Sequence, residues 1–194
     1  PTNSRDHSDG RFSPLRAFVS VRYEAGMTDV EIRRIISTDA NLYRDIRLEA
    51  LQAAPEAFGS TYELERTYTT ERFADLLGRS DVFGAFRGPD LLGMAGYRTQ
   101  VGPKTGHKGS LWGMYVRAAA RGAGVGKMLV EAVLAHARGR VELVQLSVVS
   151  DNETAQRLYR ACGFVVYGHE VHALKFNGRY YDEKLMAVAL APTA

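Results

Sequence analysis

The chain is poor in cysteine: Cys162 is its one thiol among 194 residues. An intrachain disulfide is excluded, and a reducing compartment is the expectation. Long apolar runs are missing too. None reaches the roughly 18 residues that a helix needs to cross a bilayer, and the first residues lack the apolar stretch of a secretory signal. The expected location is the cytoplasm, with no membrane partner. Charge of one sign is also scarce. The formal net charge is +3, and the basic residues are spread without a like-charge block, so nothing marks a nucleic-acid partner. The five histidines, His7, His107, His136, His169 and His172, show no metal-ligand spacing. His169 and His172 would fall on opposite faces of a strand. No metal is expected. What remains is ordinary for a globular domain: 45% hydrophobic and 24% charged residues, in a length that buries one core without staples.

Residues 1–26 differ from the rest. Pro1 to Pro14 is polar and turn-rich and is expected to be disordered, with a possible short strand at Phe18 to Tyr23. A folded domain is expected over residues 27–194, opening at Met27. Within it, periods of 2 and 3.6 alternate. Val30 to Ile36 reads as a strand. Ser37, Thr38 and Asp39 supply N-cap chemistry for a helix whose Tyr43, Ile46, Ala50, Leu51 and Ala54 share a face. Pro55 and Gly59 punctuate its end. Tyr62 to Leu77 reads as one polar helical region. Val82 to Phe86 and Leu91 to Thr99 form a hairpin around Arg87 to Asp90. Leu111 to Val116 is a strand, Gly124 to Arg138 a helix, and Leu143 to Val149 a buried strand. Asn152 to Ala161 is a short helix, with Ser150 and Glu153 at capping-box spacing. Phe164 to Leu174 and Arg179 to Leu190 are the last strands, joined by a turn at Asn177-Gly178.

The stretch richest in chemistry is Arg121-Gly122-Ala123-Gly124-Val125-Gly126-Lys127, between a strand and a helix. Val125, Met128, Leu129, Ala132 and Val133 mark the helix by their spacing. A helix start leaves N–H groups unpaired and carries partial positive charge. Glycines remove the side chains that would hold a diphosphate away from those groups. Arg121 and Lys127 add charge. A nucleotide P-loop fails twice, because Arg121 holds the first glycine position and Met128 replaces the hydroxyl that would meet magnesium. A dinucleotide fingerprint fails as well, because its last glycine would fall on Lys127 or Leu129.

Arg121-x-x-Gly124-x-Gly126 resembles the coenzyme A signature of the GCN5-related N-acetyltransferases (GNATs). Three further blocks are similar to that family. They are Asn152-x-x-Ala155-x-x-Leu158-Tyr159-x-x-Cys162-Gly163-Phe164, the pair Arg47 to Leu51 with Pro55 to Gly59, and Gly178 to Met186. Their order and spacing match over about Met27 to Leu190. The resemblance implies an α/β (α+β) domain with a mixed, mostly antiparallel sheet. That sheet has about seven strands, splayed between the fourth and fifth, and about four flanking helices. It also implies acetyl-CoA as cosubstrate, with no metal, and a primary amine as acceptor: a small molecule, a peptide N-terminus or a lysine. Relatives are often monomers or homodimers.

By that resemblance the backbone of Met114, Tyr115 and Val116 holds the pantetheine arm as an added strand does, and an N–H there can stabilise the oxyanion formed on attack. The loop Arg121 to Lys127 takes the diphosphate. Asn152 and Ala155 adjoin the arm, although an asparagine at a helix start is equally a plain cap. Tyr159 is the residue implied to face the coenzyme sulfur. A phenol of pKa about 10 gives a proton to a thiolate of about 8.5 only uphill, so a hydrogen bond is easier than full transfer. The amine must lose a proton, since an ammonium of pKa about 10.4 is almost wholly charged at neutral pH. Glu49, Glu63, Glu65, Glu142 and His172 are available as bases, and nothing in the sequence selects one. The acceptor cleft is expected between the first two helices and the final hairpin, with Tyr43, Phe58, Tyr62 and Tyr180 as candidate lining. Cys162 reads as packing, since no base stands near to activate it. A non-catalytic acyl-CoA-binding sensor or interaction module is the alternative to an enzyme.

Overall fold

The computed structural model describes residues 29–190. The extension expected over residues 1–26 lies outside that range. Seven strands form one sheet: β1 (Glu31–Arg34), β2 (Asp81–Arg87), β3 (Asp90–Thr99), β4 (Lys108–Val116), β5 (Leu143–Val149), β6 (Val165–Phe176) and β7 (Arg179–Ala189). Their order is β1-β2-β3-β4-β5-β7-β6. Only the β4–β5 pair is parallel. The helices are α1 (Ala40–Ala53), α2 (Tyr62–Glu65), α3 (Thr70–Arg79), α4 (Val125–Ala137) and α5 (Glu153–Ala161). This is the mixed, mostly antiparallel architecture that the resemblance implied.

The helices cover the sheet on two faces, each with its own apolar core. On one face α1 and α3 bury Tyr43, Ile46, Ala50, Phe73 and Leu77 with Tyr115 of β4. On the other, α4 buries Val125, Met128, Leu129 and Val133 with Leu111 of β4 and Tyr159 of α5. The α4 stripe is the one its 3.6 period predicted. Tyr43 therefore belongs to the core and lines no cleft.

Several local expectations are corrected. Asp39 sits at the N-cap position of α1 but makes no cap bond. Its carboxylate accepts from Ile36 N at 3.0 Å and from Arg33 at 2.7 and 2.9 Å. The single helix expected over Tyr62 to Leu77 is two. Thr61 and Thr69 each accept an N–H of the helix that follows, so a second cap splits the region. The capping box expected of Ser150 and Glu153 does not form. Asn152 is the cap, accepting from Ala155 N at 3.0 Å, while Ser150 Oγ is buried without a partner among the described residues. In β6 the register shifts between Glu170 and Leu174, and His172 takes φ 56°. The bulge breaks the expected alternation: His169 Nε2 lies 3.3 Å from Asp182, and the His172 ring stacks on Tyr180, two residues from Asp182 along β7, with centres 4.3 Å apart.

Candidate active site

The sheet opens between β4 and β5. They pair only through Lys108, Gly109 and Ser110 against Leu143, Val144 and Gln145. Beyond that point their facing edges are free, because β4 continues along β3 and β5 along β7. Between Leu111–Val116 and Ser147–Val149 lies a cleft of about 990 Å³. One side is built by the glycine loop and α5. The other is built by the end of α1, the turn Glu56–Phe58, and Arg179 and Tyr181 of β7.

The loop folds as its glycines require. Gly122 and Gly124 have φ 76° and 77°, a region that other residues enter at a cost of about 1–2 kcal/mol. Gly124 places α4 with no side-chain cap at its start. The first-turn N–H groups, which a helix cannot satisfy itself, are left for a ligand. Val125, Gly126 and Lys127 of that turn line the cleft, whereas Ala123 does not. Arg121 also lines it, and its Nε donates to Val116 O at 3.0 Å. That bond ties the loop to the end of β4. Lys127 lies 3.6 Å from Glu131 and is 57% exposed, so its charge stays available.

Beside the loop, Asn152, Ala155 and Tyr159 present one face of α5. Tyr159 is 6% exposed and stands edge-on to Phe164, ring centres 5.9 Å apart. Its hydroxyl has no hydrogen-bond partner among the described residues. Burial pushes its pKa well above the ordinary phenol value, with a smaller push from Cys162. It is a neutral donor at any physiological pH. Burial also raises the Cys162 thiol, which does not line the cleft.

The other side carries features that sequence reasoning missed. Gly113 has φ 63°, and the β3–β4 register shifts between Met94 and Gly96. The extra residue is a bulge. It turns the Tyr115 side chain toward α1, where the hydroxyl donates to Glu49 at 3.1 Å and Arg117 Nε reaches the same carboxylate at 2.9 Å. Met114, Tyr115 and Val116 all border the cleft, with Trp112 and Gly113. Arg47 and Glu65 form a buried bidentate pair, at 2.8 Å (Nε) and 2.6 Å (Nη2). Of the five groups weighed as bases, none lines the cleft. Glu56 does, and its carboxylate has no ion pair or hydrogen bond among the described residues. Phe58 lines it as expected; Tyr62 and Tyr180 do not, and Tyr181 does. Period-2 alternation along β7 could have separated Tyr180 from Tyr181, given the face. Among the described residues no group of three or more His, Cys, Asp or Glu could hold a metal ion.

The arrangement can grip a diphosphate at α4, extend an amide-bearing arm along the free edges of β4 and β5, and donate a hydrogen bond from Tyr159. No curated protein matches the sequence significantly. Solved structures match the fold. The Salmonella typhimurium protein yncA, solved with its cofactor acetyl-CoA, superposes with TM-score 0.75 at 20% identity, over 86% of this chain and 96% of that one. An acetyltransferase of the GNAT family from Streptococcus pneumoniae gives TM-score 0.75 at 20% identity, over 84% and 100%. A ribosomal-protein-alanine N-acetyltransferase from Brucella melitensis gives 0.70 at 23%, over 82% and 99%. The acetyltransferase (GNAT) family matches residues 45–164, well over half of the chain, and the protein belongs to that family.

Proposed function

We propose that the protein transfers an acetyl group from acetyl-CoA to a primary amine, by direct attack with both substrates bound. The observation that carries this reading is the uncapped start of α4 at one end of the β4–β5 opening, with the buried Tyr159 hydroxyl inside the same cleft. The loop Gly122 to Lys127 would hold the diphosphate, and Met114 to Val116 the amides of the arm. Asn152 spends its side-chain oxygen on capping α5, which leaves its amide N–H groups for the arm. Acetyl-CoA supplies the activated acyl carbon, so that the new N–C bond forms as the C–S bond breaks and coenzyme A leaves as the thiol.

The protein's own groups manage the protons. Free backbone N–H groups on β4 can donate to the acyl oxygen. Tyr159 donates a hydrogen bond to the departing sulfur. Its raised pKa makes complete proton transfer still harder than for a free phenol, so hydrogen-bond donation is the role that fits. Glu56 borders the cleft without a partner among the described residues, and it can take the ammonium proton directly or through one water. The acceptor would enter past Phe58, Trp112 and Tyr181. A screen of amine classes with acetyl-CoA, following thiol release and product mass, tests the proposal. Acetyl-CoA binding without turnover on any amine would favour the sensor reading, and no acetyl-CoA binding would refute both.

A further inference from the structure

Arg179 is the cation on the side of the cleft away from the glycine loop. The hairpin fixes its place. Asn177 and Gly178, with φ 47° and 78°, make the tight turn between β6 and β7, and Arg179 is the first residue of β7. Its guanidinium has two contacts among the described residues. Nη2 lies 3.3 Å from Asp151 Oδ2, and Cζ stands 4.9 Å over the Tyr181 ring. Arg179, Asp151 and Tyr181 all line the cleft, so the group sits at the cleft with cleft residues as its neighbours.

Most of the guanidinium is unused. Of its N–H donors, Asp151 takes one, through Nη2, and the others have no partner among the described residues. The pair with Asp151 is open to water, the two side chains being 67% and 79% exposed. At 3.3 Å it is longer than the about 2.7–2.9 Å of a strong charged bond. Exposed pairs of this kind hold weakly, so a carboxylate that meets the planar fork with both oxygens can displace Asp151. The Tyr181 ring supports the guanidinium while that exchange takes place.

Charge on this side of the cleft narrows the ligand. Its charged side chains are Glu56 and Arg179, and they do not pair with each other. Arg121 and Lys127 already stand at the loop that would take the diphosphate, so Arg179 is not needed there. A molecule with both an amine and a carboxylate meets each of the two charges with its opposite. A plain alkylamine leaves Arg179 to Asp151.

We infer that Arg179 binds a carboxylate of the acceptor in exchange for Asp151, and that the acceptor is an amino acid or another small amine that carries a carboxylate. The inference rests on the N-acetyltransferase reading of the same cleft. It assigns Arg179 to acceptor selection and leaves acyl transfer to other groups.

The test sets alanine, phenylalanine, β-alanine and 4-aminobutyrate each against its own amide. Basicity differs within a pair, so the quantity read is the kcat/KM ratio of acid over amide, compared between wild type and variants. Wild type should prefer the acid in at least one pair. In R179Q that preference should fall about ten-fold or more, as loss of a charged hydrogen-bonded contact does, and mainly through KM. R179K keeps the charge and should recover part of it. D151N removes the competing carboxylate and should raise it. Melting transitions report folding, and KM for acetyl-CoA reports the cofactor side. The inference is overturned if wild type shows no acid preference in any pair, if the preference survives in folded R179Q, or if it does not rise in D151N. It is overturned as well if R179Q raises KM for acetyl-CoA and not for the acceptor, which would give the arginine to coenzyme A. Each of these leaves the acetyltransferase reading standing as long as amines are acetylated. A wild type that acetylates no amine of any class refutes that reading and this inference together.

Discussion

Leu111 and Tyr115 stand four residues apart on β4 yet enter different cores, Leu111 against α4 and Tyr115 against α1 and α3. A regular strand would put them on one face. The bulge at Gly113 supplies the odd residue that reverses the alternation. It lets one strand line the cleft with Met114 while it sends Tyr115 to Glu49 of α1.

Gly113→Ala should test that bulge. A Cβ there meets only Arg47 Nη1, at 3.9 Å, so the substitution is not blocked by space. It is opposed by φ 63°, at about 1–2 kcal/mol. Urea unfolding should show a loss of that size. Acceptor KM should rise as Tyr115 loses its alignment with Glu49, and acetyl-CoA affinity should hold. An unchanged midpoint would mean that the bulge is not a constraint.

In the loop, Gly124→Val asks a β-branched side chain to adopt φ 77° and covers the N–H groups at the start of α4. A conformational cost of about 1–2 kcal/mol corresponds to about ten-fold in affinity, before any steric loss. Calorimetry should show acetyl-CoA binding weakened by at least that factor. Near-normal binding would remove the loop from diphosphate recognition.

Tyr159→Phe keeps the ring against Phe164 and removes the hydroxyl. We expect kcat to fall by about 100-fold, the lower range for a positioned proton donor, with acetyl-CoA affinity little changed. Because burial raises the phenol, the wild-type pH–rate profile should show no descending limb from Tyr159 below pH about 10. A limb near neutrality that vanishes in the phenylalanine variant would contradict this assignment.

Alkaline stability follows from a second buried phenol. Tyr43 is pushed up to about 12, chiefly by burial, whereas in the unfolded chain it ionises near 10. Its folded value is the higher one, so its contribution is complete below pH about 10 and is lost progressively as pH rises through about 12. Thermal melts of Tyr43→Phe should fall less steeply than wild type over that window. Parallel curves would show that Tyr43 does not drive the loss.

For the pair beneath the cleft, Glu65→Leu alone strands a buried guanidinium. That should cost about 3–5 kcal/mol, whereas R47M/E65L should lie close to wild type. Equal losses in both would mean that packing, and not charge pairing, holds this region.

Much of this protein can be read along the chain. The α4 stripe, the glycine loop, the hairpin of β2 and β3 and the buried run of β5 are local patterns, since helix starts, turns and amphipathic faces depend on neighbours within a few residues. The splitting of α2 from α3 was legible too, in Thr61 and Thr69, but the polar run between them masked it. Asn152 illustrates a local competition. It and Ser150 are both acceptable caps, and the sheet chose between them: Ser150 N bonds Asp182 O at 2.8 Å, which carries the β5–β7 pairing one residue further and leaves Asn152 at the helix start.

The residues along the chain were enough to specify the family and the glycine loop that opens α4, because both are written in contiguous segments whose backbone geometry glycine and helix periodicity impose. The far wall of the cleft and the packing behind it could be decided only by the folded molecule. Glu56, Arg47, Tyr115 and Tyr181 come from α1, the turn after it, β4 and β7, and their relation depends on a one-residue bulge and on which face each strand turns inward. Charge pairing between residues 18 positions apart, as in Arg47 and Glu65, has no signature in local sequence, since it arises when chain closure brings two distant groups into one dry space.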